Sequence, residues 1–85
     1  MEIKLEIPEY DENEGFKYSW ENGFEIKIEA LNNDILIIAN KAGLISMAMQ
    51  FLTLAQDKVP DGCHFDLDEH GGLEDGSKAL FIQKI

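Results

Sequence analysis

The chain has no arginine, one cysteine, two prolines and no apolar run that approaches the length of a bilayer. Each absence removes a class of function. All seven bases are lysines, set against seventeen aspartates and glutamates, for a net charge of −10. Nucleic-acid binding needs cationic groups to neutralise phosphates, so neither DNA nor RNA is an expected partner. Anionic membranes and phosphorylated ligands are disfavoured for the same reason. The lone Cys63 excludes an intrachain disulfide and fits a reducing compartment, which makes the cytoplasm the expected location. The opening MEIKLEIPEY carries acids and lacks the apolar core of about 7–15 residues that marks a signal peptide. A membrane helix needs at least ~18 consecutive apolar residues, and none occur. GxGxxG, P-loop, HExxH, CxxC and GxSxG patterns are all missing, so no cofactor and no catalytic residue is expected.

What remains is a short, acidic, well-folded chain. Hydrophobic residues make up 45% of the 85 positions, too many for a disordered chain of this charge. Residues 1–85 are expected to form a single domain. A domain of this size buries only about 60–65% of its unfolded surface, so its core is modest. A strongly acidic surface favours a basic partner and speeds encounter with it.

The patterning predicts a two-layer α+β fold: a mostly antiparallel sheet of about five to six strands packed on one helix. MEIKLEI alternates, with Ile3, Leu5 and Ile7 on one face, and ends at Pro8 as a half-buried strand would. Residues 9–15 are an acidic loop. In FKYSWENGFEIKIEA, a three-residue loop at Glu21-Asn22-Gly23 places Phe16, Tyr18, Trp20, Phe24, Ile26 and Ile28 on one face. That loop also puts Gly23 where a left-handed residue is needed. Asn32-Asn33 predicts a two-residue turn that pairs Ala30 with Ile35, Ile28 with Ile37 and Ile26 with Ala39. The next strand, DILIIA, is apolar on both parities. Leu36 and Ile38 therefore point to the back face and imply cover by a loop, a second copy of the chain or a partner.

Asn40 is a good N-cap, and KAGLISMAMQFLTLAQD reads as a helix of about four turns. Its expected buried stripe is Leu44, Met47, Ala48, Phe51, Leu52, Leu54 and Ala55. CHFDLD is then a strand, EHGGLEDGS a loop, and KALFIQKI a closing strand.

The stretch HFDLDEHGGLEDGS concentrates the chemistry. It holds both histidines and five of the acids. Strand parity points His64, Asp66 and Asp68 one way and Phe65 and Leu67 the other. A metal-binding or hydrolytic centre built on His64, Asp66, Asp68 and His70 is one reading, since imidazole and carboxylate are competent ligands. Against it, the i, i+2, i+4 spacing spreads the three strand residues over about 13 Å, more than one ion can bridge. Cys63 beside His64 suits no thiolate–base pair, because adjacent strand residues face opposite ways. The loop is more informative as a surface read by another protein. Asp66, Asp68, Glu69, His70, Glu74 and Asp75 supply the charge. Leu73, the one apolar loop residue, either anchors the loop to the core or stands out for a partner. Leu36 and Ile38 form a second candidate surface.

His64, then Leu67-Asp68-Glu69, then Leu73-Glu74-x-Gly76-Ser77 and an aliphatic strand ending at Lys84 resemble the immunity protein 32 family of bacterial polymorphic toxin systems. The resemblance runs from about residue 40 to 85. Cys63 stands where the family pattern has serine, and Asp66 where it has a second histidine. The resemblance implies a non-catalytic protein that protects a cell by binding a cognate toxin domain. Many such toxins are nucleases with basic clefts, which an acidic strand and loop would fit. No metal, membrane or nucleic-acid role follows from it. A homodimer is the remaining structural alternative.

Overall fold

The computed structural model describes all residues 1–85. Four strands and one helix follow in the order β1 (Ile26–Leu31), β2 (Asp34–Ala39), α1 (Lys41–Leu54), β3 (His64–Leu67) and β4 (Leu80–Gln83). The class is α+β as expected. The sheet is smaller and divided: β1 pairs only with β2, and β3 only with β4, both antiparallel. No helix is long and apolar enough to cross a membrane.

The β1–β2 hairpin follows the sequence closely. Asn32 adopts a positive φ of 58°, which asparagine tolerates in a tight turn. The register pairs Ile26 with Ala39, Ile28 with Ile37 and Ala30 with Ile35, while Leu36 and Ile38 lie beside Glu29 and Lys27. The second edge of β1 is taken by the loop before β4. Glu74 N–H donates to the Ile26 carbonyl and Lys78 N–H to the Ile28 carbonyl, each at 2.8 Å. The Ser77 hydroxyl accepts from Ile28 N–H at 3.2 Å. This segment joins the two small sheets without forming a strand of its own.

The first two expected strands are absent, and α1 supplies the reason for one of them. Asn40 caps the helix, its Oδ1 accepting from Gly43 N–H at 2.7 Å. The buried face is then Gly43, Ser46, Met47, Met49, Gln50, Thr53 and Leu54, which keeps only Met47 and Leu54 of the apolar stripe read from the sequence. Leu44, Phe51 and Leu52 are exposed. Ser46 and Gln50, one helical turn apart, are used as backbone partners for the aromatic segment. Gln50 accepts from Ser19 N–H at 2.9 Å and donates to the Ser19 carbonyl at 2.6 Å. The Ser46 hydroxyl accepts from Glu21 N–H at 2.8 Å. Further along, Gln56 donates to the Pro8 carbonyl and accepts from Tyr10 N–H. Helix side chains satisfy both peptide groups of Ser19 and the N–H of Glu21, and residues 16–20 lie beside α1 outside any sheet.

The local turn is still as expected. Gly23 has φ 79°, Phe24 N–H donates to the Glu21 carbonyl, and Trp20 stacks on Phe24 with ring centroids 4.5 Å apart. Residues 2–7 join no ladder. The core gathers Ile26, Ile28, Met47, Leu54, Val59, Phe65, Leu67 and Leu73. Phe65 is its hub, with the rings of Phe16, Tyr18 and Phe51 all within 6.5 Å centroid to centroid. No buried side-chain nitrogen or oxygen lacks a partner.

Candidate functional site: an acidic aromatic slot

The outward face of β3 and the loop that follows it build a slot against the aromatic segment. The burial pattern of β3 alternates as parity requires: Phe65 and Leu67 are buried, His64 and Asp66 exposed. The loop turns sharply at Asp68. Its carboxylate accepts from His70 N–H at 2.9 Å, and its carbonyl accepts from Gly71 and Leu73 N–H, each at 3.0 Å. Gly72, at φ 96°, then lies so close to Trp20 that an added Cβ would sit 2.6 Å from the indole Cη2. Only glycine fits both the backbone and the ring.

Tyr18 closes the other side. Its hydroxyl donates to the Asp66 carbonyl and accepts from Asp66 N–H, both at 3.0 Å. One side chain therefore satisfies both backbone groups of Asp66 on the edge of β3 that β4 leaves open. The Tyr18 and Trp20 rings lie nearly parallel, 5° apart in plane and 5.9 Å between centroids. Together with Asp66, Asp68, His70, Gly71 and Gly72 they line a concavity of about 370 Å³. Aromatic rings and carboxylates are the groups that a cationic side chain can engage, through ring quadrupoles and charge-assisted hydrogen bonds.

The residues singled out from the sequence divide into groups. Asp66, Asp68 and His70 line the slot. Glu69 staples the loop, its carboxylate accepting from Gly76 N–H at 2.8 Å. Glu74 and Asp75 are exposed beside β1, where the Asp75 carbonyl accepts from Lys27 Nζ at 2.8 Å. Of the two roles open to Leu73 the structure has the anchor: the side chain is buried in the core, which corrects its place among the partner-facing residues. The outward apolar residue is instead Phe81, the cross-strand neighbour of Asp66, with 67% of its surface exposed. Alternation in KALFIQKI carries that signal, since Leu80 and Ile82 must face inward with Leu67 and Phe65. Tyr18 and Trp20 are the other residues missed. Aromatics with a polar tip are enriched at binding surfaces, and that was the available signal.

His64 Nδ1 lies 2.6 Å from the Asp66 carboxylate, and His70 Nε2 3.7 Å from Glu69. His64 and Asp66 pair with each other, and no three His, Cys, Asp or Glu side chains converge as ligands. A second concavity of about 460 Å³ is lined by Glu9, Tyr10, Asp11, Glu12, Asn13, Lys17 and Lys58. Its charges are largely paired already, Lys17 with Glu14 at 2.5 Å and Lys58 with Glu9 at 3.2 Å. The Glu14 hydrogen bond holds the Lys17 ammonium above its ordinary value, with the charges of Glu14, Asp11 and Glu9 acting in the same direction.

The family model described as Immunity protein 32 matches residues 34–85, well over half of the chain. That range takes in β2, α1, β3, the slot loop and β4, and leaves out Tyr18 and Trp20. No curated protein and no solved structure matches the chain.

Proposed function

Because this chain belongs to the immunity protein 32 family, we propose that it protects a bacterial cell by binding a cognate toxin domain, without catalysis. The observation that carries the reading is the slot, where Tyr18 and Trp20 face Asp66 and Asp68. A lysine or arginine side chain of a basic toxin, such as a nuclease, enters it. Phe81 adds apolar contact beside Asp66, and Glu69, His70, Glu74 and Asp75 surround the loop with charge. Buried aromatic and charged anchors of this kind dominate most protein interfaces. The net charge of −10 speeds encounter with a cationic cleft. The half-buried, unpaired thiol of Cys63 fits action in the cytoplasm.

The test is rescue of growth against the toxin domain encoded beside this gene, with binding measured on the purified pair. Asp66→Lys with Asp68→Lys is expected to abolish protection while the fold, read by circular dichroism, persists. A folded double variant that still protects as wild type would refute the slot as the contact surface.

A further inference from the structure

Strand β2 is the most exposed apolar element of the protein. Every residue from Asp34 to Ile38 is exposed, and Ile35 retains 70% of its surface. β1 covers one edge of the strand, and the other is bare. The phase of the ladder identifies which backbone groups are left over. Asn40 N–H donates to the Glu25 carbonyl at 3.2 Å, which marks that pair as hydrogen-bonded. Alternation then turns the N–H and C=O of Leu36 and Ile38 toward β1, and those of Ile35, Ile37 and Ala39 outward. None of the hydrogen bonds outside the helix and the ladders involves Ile35, Ile37 or Ala39. Proteins normally blunt such an edge with lysine, proline or a bulge. ILIIA contains none of these.

We propose that a second copy of this chain covers the edge, β2 against β2, antiparallel about a two-fold axis through Ile37. Three observations select this occupant. The first is register. With Ile37 opposite Ile37 of the second copy, Ile35 meets Ala39, Leu36 meets Ile38 and Asp34 meets Asn40, so no charge faces an apolar side chain. Sliding the strands to set Ile35 opposite Ile37 would put Asp34 against Ile38. A two-fold contact must be self-complementary, and this one is. The second is charge. Between Leu31 and Leu44 the only charged residues are Asp34 and Lys41, a net of zero in a chain of −10. Nothing here attracts a basic toxin, and nothing local repels a second acidic copy. The third is area. Ile35 to Ile38 keep 40–70% of their surface exposed, and pairing the two edges takes part of that out of water, less than the ~1,000 Å² of a stable specific interface. An interface of that size gives a reversible dimer.

Sedimentation velocity and light scattering on the full chain at micromolar concentration test the proposal. The wild type is expected at the mass of two copies, with the dimer tightening as NaCl screens the −10 charges. Ile37→Pro removes an outward N–H and leaves the β1 ladder whole, so it should yield a folded protein at the mass of one copy. Ile35→Lys, at a still more exposed position, should do the same. In a Cys63→Ser background, Ile37→Cys should oxidise to a cross-linked dimer and Leu36→Cys should not. A wild type that remains monomeric at every concentration and salt overturns the proposal. So does a dimer that survives both edge variants, or one that cross-links at residue 36 and not at 37. An N-terminal segment of the second copy lying on β2 would leave Ile37→Cys uncross-linked, and that too counts against it.

Discussion

At the scale of single residues, two glycines carry more constraint than any other positions. Gly43 sits in the first turn of α1, where alanine would normally favour the helix by about 1 kcal/mol. Here an added Cβ would collide with the Glu25 carbonyl and lie 2.9 Å from Ile26 Cγ1. Both neighbours belong to the entry of β1, so neither yields easily. Gly43→Ala should therefore destabilise the protein, by about 1–3 kcal/mol as overpacking does, and denaturant unfolding reads the sign directly. Gly72→Ala meets both a left-handed backbone and the Trp20 ring. It should lower stability and, by displacing the indole, weaken toxin binding as well. Leu73 and Phe81 offer a contrasting pair. Leu73→Ala opens a core cavity and should cost about 2–5 kcal/mol. Phe81→Ser alters an exposed side chain and should leave the melting temperature nearly unchanged while weakening toxin binding. Much at this scale was legible in the sequence. Parity alone placed Phe65 and Leu67 inside and His64 and Asp66 outside, as observed. Parity does not decide Leu73, because loop residues have no alternation to read.

At the scale of elements, the hairpin was legible and the helix face was not, for one physical reason. The β1–β2 register depends on local turn chemistry, and Asn32-Asn33 fixes it. Which side of α1 is buried depends on what arrives from elsewhere in the chain. An apolar stripe is the usual guide to a buried face, yet here Leu44, Phe51 and Leu52 are outside and Ser46, Gln50 and Thr53 inside. The buried polar residues serve the backbone of the aromatic segment. Hydrophobic periodicity cannot show a hydrogen bond made across 31 residues of chain. The same segment then places Tyr18 and Trp20 in the slot, so the helix face and half of the site were hidden together. Gln50 is the test. Gln50→Leu keeps the volume but leaves the Ser19 N–H and carbonyl without these partners. A buried, unsatisfied polar group costs about 1–3 kcal/mol. The variant should lose stability and also release residues 16–20, read as increased amide exchange at Ser19 and Glu21. A variant as stable as wild type, with protected amides, would mean that side-chain packing and not these bonds holds the segment.

At the scale of the whole molecule, charge and shape point outward. The radius of gyration is 13.3 Å, against about 12 Å for a compact chain of this length. The excess accompanies an open β2 edge and an N-terminal stretch without a ladder. Seventeen carboxylates face seven lysines, and the only lysine–carboxylate ion pairs are Lys17–Glu14 and Lys58–Glu9. Most of the negative charge is therefore uncompensated, and it opposes folding by self-repulsion. Salt relieves that repulsion, because the screening length falls from about 30 Å at 0.01 M to about 3 Å at 1 M. A gain of only about 1 kcal/mol would raise the melting temperature by ~4–8 °C in a domain of this size. The free protein should thus melt higher in 1 M NaCl than in 0.01 M. Binding to a basic toxin should respond in the opposite sense, since the charges that repel within one chain attract across the interface. The association rate should fall steeply over the same salt range, while the dissociation rate changes less. Thermal melts and stopped-flow association on the same preparations separate the two effects. A melting temperature that falls with salt would mean that the acids are held by attractive contacts. An association rate indifferent to salt would remove charge complementarity from the account of how this protein finds its partner.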